Sequence, residues 1–66
     1  MIETVLKIND KQFIIYIEDG EYKMTSRENF FARIQNAFEI RTFQGFTDID
    51  DVIDYIKRYT PNVVEL

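Results

Sequence analysis

The sequence predicts an α+β domain: a three-stranded antiparallel meander with two helices on one face. The order is β-β-β-α-α, ending in either a short fourth strand or a loose tail. Three observations predict it. Turn signals at Asn9-Asp10 and Asp19-Gly20 divide residues 2–25 into three runs rich in β-branched and aromatic side chains. Those two turns, assigned independently, agree on which face of the sheet is apolar. Two later stretches, 25–38 and 48–59, then repeat their apolar residues at helical spacing.

The strands are residues 2–8, 11–18 and 21–25. Asn and Asp tolerate positive φ, and Asp-Gly is a strong type I′ signal, so both connections read as two-residue hairpin turns. The first turn pairs Ile8 with Lys11, Leu6 with Phe13, Thr4 with Ile15 and Ile2 with Ile17. The second pairs Glu18 with Glu21, Ile17 with Tyr22 and Ile15 with Met24. Cross-strand partners share a face. One face therefore carries Ile2, Thr4, Leu6, Phe13, Ile15, Ile17, Tyr22 and Met24. The other carries Val5, Ile14 and Tyr16 among Glu3, Lys7, Gln12, Glu18, Glu21 and Lys23.

The stretch 25–38 reads as an amphipathic helix. Thr25 and Glu28 have the spacing of a capping box. Phe30, Phe31, Ile34, Ala37 and Phe38 fall within an arc roughly 120° wide. Burial of such side chains contributes roughly 1.5–3 kcal/mol each, so a core helix is expected, with Phe31 in the core. An aromatic ligand pocket is the sharper alternative. Gly45 turns the chain, and Phe43 and Phe46 beside it are expected at the helix–sheet seam. The second helix spans 48–59, capped by Thr47 or Asp48. Its apolar stripe is Ile49, Val52, Ile53, Ile56 and Tyr59. Asp50 and Asp51 complement the positive end of its dipole, Lys57 and Arg58 the negative end. Pro61 stops it.

Composition narrows the function classes. The chain has 66 residues, enough for one domain with a thin stability margin. It has no cysteine and no histidine, so disulfides and zinc sites of the usual type are ruled out. A second subunit remains a reasonable stabiliser. Ten aromatics, six Phe and four Tyr, help a small core. The net charge of −4 disfavours generic attraction to nucleic acid or anionic lipid. With no targeting segment and no membrane-spanning run, the cytoplasm is the expected location.

Catalysis has few residues to work with. Ser26 and the threonines lack an obvious base, and paired carboxylates need a buried pocket to shift their pKa values. No catalytic residue, metal or cofactor is expected. The acidic run 48–54 begins like a calcium loop but places Ile53 and Tyr59 where Gly and Glu are required. Its bland reading is surface charge that complements the helix dipole. Its sharper reading is a patch for a basic partner, through Asp50, Asp51 and Asp54. Tyr16 between Lys7 and Lys23 suggests base stacking, but three glutamates share that face, so cross-strand packing is favoured. Val5, Ile14 and Tyr16 form an apolar cluster on a face expected to meet water.

The expected function is a non-enzymatic interaction module, a regulator or inhibitor that docks on a protein partner. Val5, Ile14 and Tyr16 are the expected contact, and the partner is another protein or a second copy in a homodimer. Two alternatives stand beside it: an acidic nucleic-acid mimic that blocks a nuclease or DNA-binding protein through Asp50, Asp51 and Asp54, and a structural homodimer. The compact, acidic, cysteine-free layout is similar in style to small bacterial or phage accessory proteins. No motif is specific enough to name a family.

Overall fold

The computed structural model describes residues 1–66. Its first three strands form the expected meander: β1 (Ile2–Ile8), β2 (Lys11–Glu18) and β3 (Glu21–Ser26). Asp19 and Gly20 both take positive φ, at 54° and 75°, as a type I′ turn requires, while Asn9 does so in the first turn at 56°. The expected pairs form at Ile8–Lys11, Leu6–Phe13, Thr4–Ile15, Ile17–Tyr22 and Ile15–Met24. One pair differs. The register shifts between Ile2 and Thr4, so Ile2 lies opposite Tyr16 instead of Ile17. Such a bulge moves every residue beyond it to the other face. Ile2 accordingly leaves the core and is exposed.

The sheet has five strands, all antiparallel, in the order β4-β3-β2-β1-β5. The edge strand β4 (Arg41–Phe43) pairs with β3, and β5 (Val63–Glu65) pairs with β1. The C-terminal segment is therefore a strand and extends the sheet sideways. Asn62 takes positive φ before it and its side chain donates to Asn9 Oδ1 at 3.0 Å, which ties the two left-handed residues together.

The expectation of three strands with two helices on one face is overturned. One long helix, α2 (Ile49–Tyr59), covers the first face. Asp48 caps it by accepting from the N–H of Asp50 at 3.0 Å. Val52, Ile53 and Ile56 pack with Leu6, Ile15, Met24 and Phe43 into a single buried cluster. Phe46 packs against that cluster, while Tyr59, placed on the stripe by its spacing, is exposed and lies tilted against the Tyr55 ring.

The stretch 25–38 does not form a continuous helix. A single short turn, α1 (Arg27–Phe31), is followed by irregular chain and a 3₁₀ turn at Ala37–Glu39. Thr25 is still part of β3, opposite Ile14, so the cap falls one residue later. Ser26 accepts from the N–H of Asn29 at 3.1 Å. The helix ends at Ala32, a strong helix former in an extended conformation (φ −65°, ψ 145°). Neither Gly nor Pro occurs between Glu21 and Gln44, so backbone breakers do not explain the ending. Side chains do: Asn29, Gln35 and Asn36 bind main-chain groups that a continued helix would need.

Candidate interaction surfaces

The second face of the sheet carries Val5, Ile14, Tyr16, Lys23 and Thr25. It is covered by the chain itself. Ile14 and Tyr16 are 2% and 4% exposed, and Val5 is half-buried. The cover is residues 27–40, which run across this face like a strap. Phe30 projects inward, and its ring meets that of Tyr16 edge-on, with centroids 5.0 Å apart. The expected docking cluster of Val5, Ile14 and Tyr16 is thus an interior seam. The C-terminal segment lies at the sheet edge beside β1 and does not cover this face.

Asn29 is the knot of the strap, and it is buried. Its Nδ2 donates to Thr25 Oγ1 at 2.7 Å and to the carbonyl of Asn36 at 3.2 Å. Its Oδ1 accepts from the N–H of Asn36 at 2.7 Å. Thr25 Oγ1 donates in turn to the carbonyl of Glu39 at 3.0 Å. Gln35 Nε2 donates to the carbonyl of Phe30 at 2.8 Å, which satisfies one of the acceptors freed where α1 stops. Asn36 caps the 3₁₀ turn by accepting from Phe38 N–H at 3.0 Å. The chain reverses within a few residues, with its polar groups paired beneath it.

Three other large apolar side chains of the strap stand in water. Phe31 is 62% exposed, Ile34 87% and Phe38 100%. Phe31, expected in the core, is therefore on the surface. Its ring packs edge-on against Phe30 and under the Arg27 guanidinium, 5.5 Å from the centroid. Sequence reasoning missed this surface and missed Asn29. The available signal was Asn29 itself, whose short amide competes with a helix backbone in mid-helix.

The acidic residues Asp50, Asp51 and Asp54 are all exposed on the outer side of α2. No three carboxylates converge there to hold a cation. A second aromatic group, Phe43, Phe46, Tyr55 and Tyr59, lines the seam between β4 and α2, with Arg41 over the rings of Phe43 and Tyr55.

Two groups on the second face titrate away from their ordinary values. Burial raises the Tyr16 phenol, Glu18 adds to the rise, and Lys23 opposes it. Its hydroxyl has no hydrogen-bond partner within the protein. Lys23 is raised chiefly by its 3.2 Å hydrogen bond to Glu18.

No protein-family model, curated protein or solved structure matches the chain. No helix is long and apolar enough to cross a membrane.

Proposed function

We propose that this chain is a small non-enzymatic interaction module, a regulator or inhibitor that works in the cytoplasm by docking on a protein. Its docking surface is the outward side of the strap: Phe31, Ile34 and Phe38. The observation that carries this reading is that two phenylalanines and an isoleucine stand in water on a backbone tied down from below. The three lie within eight residues of one another on the strap, and large apolar groups gathered on a surface mark contact sites more often than idle surface. Large apolar anchors ringed by polar groups are the usual centre of a protein–protein contact.

The test is a triple change, Phe31→Ser, Ile34→Ser and Phe38→Ser. The variant is expected to keep its fold, with stability within about 0.5 kcal/mol of wild type per site. It is also expected to lose the host proteins that immobilised wild type retains. Unchanged retention would count against the reading. The exposed row Asp50, Asp51 and Asp54 favours a second reading, an acidic decoy for a basic groove. Binding that survives the triple change and falls steeply with salt would favour the decoy, because such contacts are screened.

A further inference from the structure

Phe31, Ile34 and Phe38 fall within eight residues of one short loop and together expose much apolar surface for so small a molecule. Taking each side chain at about 200 Å², their open fractions leave on the order of 500 Å² of apolar surface. That is about a tenth of the molecule's 4699 Å², the share that a specific partner typically covers on a small protein. Two such patches brought together reach on the order of 1,000 Å², the lower bound for a specific interface, before any rim is counted.

Charge says which partner fits. The chain carries −4 overall, so two copies repel across most of their surfaces. The strap is different. Arg27 and Arg33 balance Glu28 and Glu39, and all four are exposed. None of the four forms an ion pair within the chain. A two-fold contact lays one surface on its own copy, so a patch of a single sign repels itself and one balanced in sign does not. An anionic lipid surface or a polynucleotide would instead call for net positive charge, and a basic groove for net negative charge. The strap also needs little ordering on contact, because Asn29 already fixes its shape.

We propose that the strap is a self-association surface. Two copies meet about a two-fold axis, with Phe31, Ile34 and Phe38 of each at the centre and the four charged side chains at the rim. This rests on the docking reading of the same loop and names its occupant. A second subunit is also a common stabiliser for a domain of this length.

Sedimentation equilibrium from micromolar to millimolar protein tests it. Wild type is expected to reach the mass of a dimer. The triple serine variant is expected to stay at the mass of one chain. Two charge variants keep the apolar trio intact: Arg27→Glu with Arg33→Glu, and Glu28→Arg with Glu39→Arg. Each makes its patch a single sign, so each alone is expected to be monomeric. Mixed in equal amounts, they are expected to restore the dimer. Wild type that stays monomeric at millimolar concentration overturns the dimer, and the docking reading survives if the triple variant still melts like wild type. Monomeric wild type with an unfolded triple variant overturns both. A wild-type dimer that persists in the triple variant or in either charge variant also overturns the proposal, because the contact would then lie elsewhere.

Discussion

The two faces of the sheet are covered by stretches that look alike in sequence and behave differently. On one face, α2 turns Val52, Ile53 and Ile56 into the core and leaves its charges outside. On the other, residues 27–40 turn Phe30 onto Tyr16 and leave Phe31, Ile34 and Phe38 in water. Both stretches have apolar residues at helical spacing. They differ in the residues between. The interior of α2 has no Asn, Ser or Thr, it has acids at its first turn and bases at its last, and Asp48 caps it. The strap has Asn29 and Asn36, whose amides bind its own backbone across the loop. Hydrophobic period says which residues would share a face if a helix formed. Local hydrogen-bond competition helps decide whether it forms.

The largest loss is expected in α2. Ile56→Ala should cost roughly 2–5 kcal/mol, enough to unfold much of a domain this small, and a denaturant titration measures it. Phe31→Ala should cost no more than about 0.5 kcal/mol when the protein is dilute enough to be monomeric. Equal losses at the two sites would erase the distinction between the faces.

Next comes the knot. Asn29→Ala leaves the Asn36 N–H without its acceptor and the Thr25 hydroxyl without its donor. A loss of roughly 2 kcal/mol is expected by thermal or chemical melting. A loss near zero would mean that the strap is held by Phe30 alone. Ser26→Ala removes the cap of α1 and should cost about 1 kcal/mol.

A gain is expected at Tyr16. Its hydroxyl is buried without a partner, so Tyr16→Phe should stabilise by about 1 kcal/mol at neutral pH. The same site sets an alkaline limit. The Tyr16 and Lys23 pKa values are both raised in the folded state. Lys23 therefore contributes stability that is complete below its ordinary value and fades as pH rises through the folded value, and over the same range the burial of Tyr16 makes its ionisation cost the fold stability. Melting temperature should fall above about pH 10 in wild type and fall less in Tyr16→Phe. Parallel curves for the two proteins would remove Tyr16 as a cause.

Much of the sheet was legible in advance. The turns at Asn9 and Asp19-Gly20, most of the register they impose, a cap at Thr47 or Asp48 and the α2 stripe apart from the exposed Tyr59 follow from local chemistry that tertiary context does not oppose. The bulge beside Glu3 was not legible, since nothing in the strand pattern marks the slip of Ile2 toward Tyr16. Strand β4 was hidden because Arg41-Thr42-Phe43 is too short to show alternation. The apolar character of Val5, Ile14 and Tyr16 is visible in the sequence, but it reads there as a contact for a partner, whereas Ile14 and Tyr16 are buried by the chain itself. The residues that supply this cover read in the sequence as a helix on the other face.

Backbone chemical shifts, read with contacts between the Tyr16 and Phe30 rings, test the division of labour between the faces most directly. Helical shifts over Ile49–Tyr59 and Arg27–Phe31, extended shifts from Ala32 to Asn36, and a nuclear Overhauser contact between those two rings are the expected result. Unbroken helical shifts through Phe38, with no contact between Tyr16 and Phe30, would contradict the account.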